Sequence, residues 1–240
     1  MILQTGMRTD IPAFYSDWFI NRIREGYVLV RNPYNQSAVT KYRINPDVVD
    51  LIAFCTKNPA PMHEHMDILK PYGQYWFVTI TPYGREIEPN VPDKKQVIDD
   101  FKILSKTVGI DSVGWRYDPI FISDKYSLDF HIDVFEKMAK ELSEYTNTCI
   151  ISFIDLYEKV LRNFPQVRMV SREERLKIGK TFAEIGRKYG ITIKACAEGE
   201  ELKNYGIDCN GCLTKAIYET ALGGRLNMPK IKGQRKGDTS

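Results

Sequence analysis

The sequence lacks the features that mark several large classes of protein. No run of apolar residues approaches the roughly 20 that a membrane-spanning helix needs. The chain starts with Met1–Gln4, without the basic segment and long apolar stretch of a secretory leader. It has no glycine-rich phosphate loop, dinucleotide-binding fingerprint or nucleophile elbow. These absences argue against a membrane protein, a secreted protein and the common nucleotide-binding and serine-hydrolase classes.

An excess of one charge is also lacking. The 34 Lys and Arg residues nearly balance the 31 Asp and Glu residues, for a net charge of +3. This is too small to indicate nucleic acid as the main partner. Basic residues cluster only near the C-terminus, at Lys230, Lys232, Arg235 and Lys236. A solvated tail is the simpler interpretation of this cluster, and contact with nucleic acid is the weaker one.

Histidine and cysteine are scarce, with three and five residues respectively. His63 and His65 are two apart on a predicted helix and so point to different faces, which argues against a shared metal. An odd cysteine count without a leader predicts the reducing cytoplasm, where thiols serve as ligands or core residues. A 43% hydrophobic, 27% charged composition is typical of globular proteins. We expect one domain over residues 1–229, followed by a basic, truncated or disordered tail over residues 230–240.

Short β-rich apolar runs alternate with segments of helical period. The seven predicted strands are Ile2–Gln4, Tyr27–Val30, Asp50–Phe54, Tyr75–Ile80, Ser112–Arg116, Thr148–Phe153 and Ile191–Ala195. Helices are predicted after Asp93, around Ile132–Leu142, after Ser171 with its capping-box spacing to Glu174, and over Phe14–Arg24, Met62–Leu69 and Cys212–Leu222. Such alternation indicates a parallel sheet with right-handed crossovers. Seven units favour a (β/α) barrel of the TIM type, complete or partial.

Polar residues follow the C-terminal ends of these strands, where parallel barrels collect their functional groups. Turn formation alone could explain any single loop. Cations and carboxylates nevertheless recur together, and a mixed ring of charges suits a small zwitterionic ligand such as an amino-acid group. The candidate binding residues are Arg8, Asp10, Asn32, Lys57, Thr79, Arg116, Asp118 and Glu198, with Asp155 beside them.

Three cysteines form a candidate metal site. Cys209 and Cys212 are in a CxxC spacing whose tight loop lets two sulfurs meet one metal ion or cluster. Cys196 ends the last predicted strand and could supply a third thiolate. The alternative is three reduced, partly buried thiols. Cys55 and Cys149 lie in apolar runs and are expected in the core.

Four strings resemble the signatures of a bacterial and archaeal domain-of-unknown-function family, number eighteen-forty-eight. They are Arg8–Tyr15, Val30–Tyr34, Thr56–Pro61 and Trp115–Ile120, and the resemblance covers nearly the whole chain. That family is in turn similar to spore photoproduct lyase, a radical S-adenosylmethionine enzyme that repairs DNA. The resemblance implies a radical S-adenosylmethionine type of barrel.

The resemblance also implies a cofactor arrangement. It places Lys57 and Thr79 near the carboxylate of S-adenosylmethionine, with Asp118 in the following Asp-Pro-Ile turn. A [4Fe–4S] cluster would be held by a cysteine-rich segment that family members carry beyond the position of Arg235. Here Lys-Gly-Asp-Thr-Ser240 follows instead, so we expect either a shortened chain or a protein without the radical machinery. Thr79 replaces a serine, and Cys55 stands where a tryptophan is expected.

Two functions follow as hypotheses. The first is an enzyme domain that binds S-adenosylmethionine at the barrel mouth and generates a 5′-deoxyadenosyl radical. The second is a non-catalytic pocket or metal-binding protein that keeps the mouth and a metal at Cys196, Cys209 and Cys212. Nucleic-acid repair depends only on the analogy to the lyase and is the weakest interpretation.

Overall fold

A parallel β-sheet forms the centre of the protein in a computed structural model that describes residues 1–6 and 8–227. Its six strands are β1 (Ile2–Gln4), β4 (Leu51–Thr56), β5 (Gly73–Thr79), β6 (Val113–Ile120), β7 (Thr148–Phe153) and β8 (Thr192–Ala195). They lie in the order β1-β4-β5-β6-β7-β8, and every neighbouring pair is parallel.

The strands follow one another in chain order, as they do in a barrel, but the described part of the sheet does not close. β1 pairs only with β4, and β8 pairs only with β7. The α/β class and the parallel sheet are thus confirmed, whereas a closed TIM barrel is not found over residues 1–6 and 8–227.

One predicted barrel strand lies outside the parallel sheet. β2 (Tyr27–Arg31) pairs with β3 (Val39–Arg43) in an antiparallel hairpin. The sequence of β3 is too polar to be recognised as a strand, and its side chains are all exposed. Leu29 at 57% exposure confirms that β2 is not a buried strand either. An apolar run of this length does not distinguish an edge hairpin from a sheet interior.

The predicted helices are present, but the last one begins at Lys215 instead of Cys212, the start of the predicted Met62–Leu69 helix is a 3₁₀ turn, and the short helices Ile11–Phe14 and Glu158–Asn163 were not predicted. They are α1 (Ile11–Phe14), α2 (Ser16–Glu25), α3 (Met66–Leu69), α4 (Lys94–Val108), α5 (Leu128–Leu142), α6 (Glu158–Asn163), α7 (Arg172–Lys188) and α8 (Lys215–Leu222). Three 3₁₀ turns cover Ala60–His65, Ile110–Ser112 and Glu200–Tyr205. Ser171 and Glu174 form the predicted capping box. No helix of the described chain is long and apolar enough to cross a membrane.

The two faces of the sheet have different coverings, because side chains alternate along each strand. One face packs against α4, α5 and α7, and Phe135 there stacks on both Trp115 and Phe182. The opposite face, called the inner face below, is covered by α8, whose Ile217 and Tyr218 pack with residues such as Tyr75. α8 covers only the apolar part of the inner face, which leaves the carboxyl ends of the strands for polar side chains.

Candidate functional site

The inner face changes from apolar to polar towards the carboxyl ends of the strands. In β4 the inner residues are Leu51 and Ala53, followed by Cys55. In β5 they are Tyr75 and Phe77, followed by Thr79. The corresponding positions of the next strands are Arg116, Asp118, Ser152 and Cys196. The period of two therefore gathers these side chains at one edge of the sheet.

Arg116 occupies the middle of this edge. Its Nε donates to Asp118 Oδ2 at 3.1 Å, and a second guanidinium nitrogen donates to the same oxygen. The guanidinium carbon lies 5.9 Å from the ring centre of Phe77. The Arg116 charge also opposes the rise that burial causes in the pKa of the Cys55 thiol. Burial by itself lowers the pKa of Arg116, but the Asp118 carboxylate and the Cys212 sulfur outweigh it and raise the pKa above its usual value. The charge is therefore permanent.

Asp118 has partners on both carboxylate oxygens. Arg116 occupies Oδ2, and the Ser152 hydroxyl of β7 donates to Oδ1. A register shift between Tyr117 and Ile120 interrupts the β6–β7 pairing next to Asp118. The hydrogen bond between Ser152 and Asp118 thus joins the ends of β6 and β7. Neither sequence spacing nor charge predicts that Ser152 is the partner of Asp118.

Glu198 lies in the loop after β8 and reaches back to β7. Its Oε1 accepts from the Phe153 backbone N–H at 2.7 Å, and Oε2 lies 3.7 Å from an Arg175 nitrogen. Burial raises the pKa of Glu198, although the hydrogen bond from Phe153 and the charge of Arg175 oppose this shift. Arg175, on the first turns of α7, was not predicted from the sequence because it does not follow a strand.

These groups line a cavity of about 370 Å³ at the carboxyl ends of β6, β7 and β8. Two guanidinium groups and three carboxylates face it, so that its formal charge is one negative; they belong to Arg116, Arg175, Asp118, Asp155 and Glu198. The cavity is in the size range of small-molecule sites. Of the predicted binding residues, the structure thus brings together Arg116, Asp118 and Glu198.

A neighbouring cavity of about 360 Å³ holds two more predicted residues, Lys57 and Asp10. Lys57 Nζ lies 2.5 Å from Glu88 Oε1, and Lys94 contacts the other oxygen of the same carboxylate. Burial raises the pKa of Glu88, but the two lysines outweigh it and lower the pKa overall. Asp10 accepts from the backbone N–H groups of Ala13 at 3.0 Å and Lys57 at 2.8 Å, so it caps α1 and anchors the β4 loop.

The remaining predicted binding residues lie outside the two cavities. Arg8 is exposed, and its guanidinium donates to the Arg31 carbonyl at 3.3 and 3.4 Å. Asn32 lies in the hairpin turn, where Oδ1 accepts from the Tyr34 N–H at 2.8 Å; it is not on the sheet edge because its strand is not in the sheet. Thr79 ends β5 in register with Arg116.

The three candidate metal-binding cysteines do not converge. Cys196 Sγ and Cys212 Sγ are 3.1 Å apart, but Cys209 Sγ contacts the Ile207 carbonyl at 3.7 Å and packs against the other core. No group of three or more His, Cys, Asp or Glu that could hold a metal is found in residues 1–6 and 8–227. Cys212 also precedes α8 by three residues, so it does not begin a helix as expected.

The Cys196 and Cys212 thiols are in direct contact. This contact lowers the pKa of Cys212 against the effect of burial, and the Arg116 charge adds to this. The same contact raises the pKa of Cys196. Cys149 is buried, as predicted, and Cys55 is partly buried, where it packs against the inner-face core next to Arg116.

A larger cavity of about 640 Å³ lies between the loops after β5 and β6, lined by residues such as Phe121 and Tyr126. Both of its cations already bond carboxylates of the same cavity: Lys125 donates to Glu86, and Arg168 pairs with Glu174. This cavity therefore offers a ligand carboxylate less than the edge around Arg116, where Arg175 has only a 3.7 Å contact with Glu198.

The fold and the charged edge define an α/β protein with an open parallel sheet and a polar cavity at its carboxyl end. Within that class, the chain belongs to the family described as Domain of unknown function (DUF1848), whose model matches residues 2–238. No curated protein matches the chain. The family is thus established, and its description assigns no activity.

Proposed function

We propose that this protein binds a small zwitterionic ligand with an amino-acid group in the cavity around Arg116, and that S-adenosylmethionine is the first candidate. The observation that carries the proposal is the convergence of two guanidinium groups and three carboxylates on about 370 Å³. Each end of such a ligand finds an opposite charge there.

The cation most available to a ligand carboxylate is Arg175. Arg116 is held by two bonds to Asp118, whereas Arg175 has only a 3.7 Å contact with Glu198 and keeps 41% of its side chain exposed. A ligand ammonium group would find Asp155 and Glu198 on the same cavity wall. The resemblance assigns the carboxylate to Lys57 instead, which lies in the neighbouring cavity, bonded to Glu88. If Arg175 binds the ligand carboxylate, its replacement should weaken ligand binding, whereas the alternative assignment predicts that replacement of Lys57 does so.

The formal charge of the cavity favours a ligand with one net positive charge. S-adenosylmethionine has a sulfonium and an ammonium group against one carboxylate. S-adenosylhomocysteine has the same amino-acid group but no sulfonium charge. We therefore expect the first to bind more tightly than the second.

A [4Fe–4S] cluster with an open iron needs three converging thiolates, and the described residues bring only Cys196 and Cys212 together. These residues do not fit the cluster, so no radical step is assigned to them.

Isothermal titration calorimetry of the chain with S-adenosylmethionine, S-adenosylhomocysteine, methionine and adenosine tests the proposal. Arg175→Gln should weaken binding by about 1.5–3 kcal/mol, the usual loss for a charge-assisted hydrogen bond. Arg172→Gln is the matched control, because Arg172 is on the same helix but pairs with Glu201 outside the cavity. Lys57→Gln tests the alternative carboxylate partner.

A loss of affinity confined to Arg175→Gln supports the Arg116 cavity. A loss confined to Lys57→Gln contradicts that assignment and moves the site to the neighbouring cavity. The absence of heat with all four ligands, or unchanged affinity in both the Arg175→Gln and the Lys57→Gln proteins, would contradict binding at either cavity.

A metal-binding role is the second candidate, favoured by the 3.1 Å separation of the Cys196 and Cys212 sulfurs. Two thiolates supply half of a tetrahedral site. Addition of Co²⁺ should produce thiolate charge-transfer absorption that is lost in Cys212→Ser and kept in Cys209→Ser. Unchanged absorption on Co²⁺ addition would exclude this role.

A further inference from the structure

The closest pair of thiols joins the end of the sheet to the segment that precedes α8. Cys196 and Cys212 are 16 residues apart in the chain, and their sulfurs are 3.1 Å apart. A disulfide is about 2.05 Å long, so a movement of about 1 Å would bring the two sulfurs to bonding distance. All five cysteines are free thiols in the structure.

The backbone on both sides holds this pair in place. The Cys196 N–H donates to the Ile151 carbonyl at 2.9 Å, which fixes the end of β8 against β7. The returning segment is bound along β8, because Asp208 bonds Ile193 and Ala195 through its backbone at 3.0 and 2.9 Å. Cys196 is therefore fixed against β7, and the chain that returns to Cys212 is bound to β8 four residues before it.

The other cysteines are placed differently. Cys209 is three residues from Cys212, yet its sulfur contacts the Ile207 carbonyl and packs against the opposite core. Cys149 is fully buried in β7. Cys55 lies beside Arg116 in β4. The CxxC spacing by itself would favour a Cys209–Cys212 bond, and the tertiary structure favours Cys196–Cys212 instead.

We propose that Cys196 and Cys212 are a redox-active dithiol that closes reversibly to a disulfide at the rim of the Arg116 cavity. With a peroxide as oxidant, the Cys212 sulfur attacks the O–O bond, becomes a sulfenic acid and releases one water. The Cys196 sulfur then attacks the Cys212 sulfur, the S–O bond breaks and a second water leaves. Two thiols and one hydrogen peroxide thus give one disulfide and two waters. Dithiothreitol reverses the reaction by thiol–disulfide exchange.

The disulfide would link the two ends of the segment that carries Glu198, a residue of the cavity wall. Closing a loop of this length reduces the entropy of the unfolded chain, which should raise the thermal midpoint by roughly 5 °C or more. The inference does not depend on the identity of the cavity ligand.

The test is peptide mapping of the full chain after treatment with hydrogen peroxide and alkylation of the remaining thiols under denaturing conditions. Trypsin cleaves after Lys194, Lys203 and Lys215, so Cys196 is on one peptide and both Cys209 and Cys212 are on the next. We expect a cross-link between these two peptides, with fragment ions that assign it to Cys212, and a fall from five free thiols to three.

Matched variants identify the partner. Cys209→Ser should keep the cross-link, and Cys212→Ser should reduce it at least tenfold, with circular dichroism showing that both variants fold. A cross-link that survives in Cys212→Ser, fragment ions that place the bond at Cys209 in the unmutated chain, or five remaining thiols after excess peroxide would each overturn the proposal.

Discussion

The Arg116–Asp118 ion pair can be tested by a double-mutant cycle. Replacement of Arg116 by Met keeps an unbranched apolar stem over Phe77 but removes the guanidinium from Asp118. The two side chains are only 19% and 17% exposed, so solvent replaces only part of the lost interaction. Breaking a buried pair on one side costs about 3–5 kcal/mol, since the partner charge is left uncompensated.

The double variant Arg116→Met with Asp118→Asn should recover much of this loss. The asparagine side chain is uncharged, and its amide oxygen can still accept from the Ser152 hydroxyl, which donates to Asp118 in the native protein. Removal of both charges from such a site is often close to neutral. The double variant should therefore be more stable than the single Arg116→Met variant, although it differs from the native sequence at more positions.

Urea denaturation followed by circular dichroism at pH 7 measures the free energy of unfolding of the native protein, both single variants and the double variant. A coupling energy of a few kcal/mol between the two positions is expected. If the Arg116→Met protein is as stable as the native one, or if the double variant is no more stable than Arg116→Met, the pair is not the buried, mutually dependent interaction described above.

Two further predictions concern pH. Burial lowers the pKa of His131 to about 4, since the ring lies inside the protein between the Tyr117 hydroxyl and the Phe121 carbonyl, each at 2.8 Å. As the pH falls, the unfolded chain therefore binds a proton at His131 before the folded protein does. The free energy of unfolding should fall by about 3 kcal/mol as pH drops from 7 to 4. A His131→Gln variant whose free energy of unfolding, measured by urea titration, falls equally steeply would contradict this. Burial raises the pKa of Glu198 in the folded protein, so ionisation of its carboxyl group destabilises the folded state at pH values above that pKa. At pH values below the pKa of the unfolded chain, the carboxyl group is protonated in both states and has no such effect. Glu198→Gln should therefore be more stable than the native protein at pH 7 and equal to it near pH 3, and a difference that persists at low pH would refute that cause.

Local signals in the sequence determined most of the secondary structure. The capping box at Ser171 and the period of apolar residues in α4, α5 and α7 depend on neighbours within a few residues, so they are visible without the fold. The buried strands have apolar residues on both faces, and this pattern is likewise visible in the local sequence. The gathering of Arg116, Asp118 and Glu198 at the carboxyl edge also followed, because strand direction is implied by the alternation of strand and helix.

The pairing of elements distant in sequence was decided only by the tertiary structure. β2 has a strand-like sequence, yet it pairs with the polar β3 in a hairpin, which removes Asn32 from the edge of the sheet. Arg175 is in the first turns of a helix and Ser152 is inside a strand, so neither stands where strand ends predict a ligand-binding residue. Their roles depend on contacts with Glu198 and Asp118, more than 20 residues away in the chain.

The cysteines give the clearest division between sequence and structure. Spacing alone groups Cys209 with Cys212, since they are three residues apart. In the fold, the segment after Ile207 runs along β8, and the two thiols point to different cores, so that Cys212 meets Cys196 across 16 residues. Which side of a strand a residue faces is a local property. Which other residue it then meets depends on the packing of the whole sheet, and the sequence pattern does not contain that information.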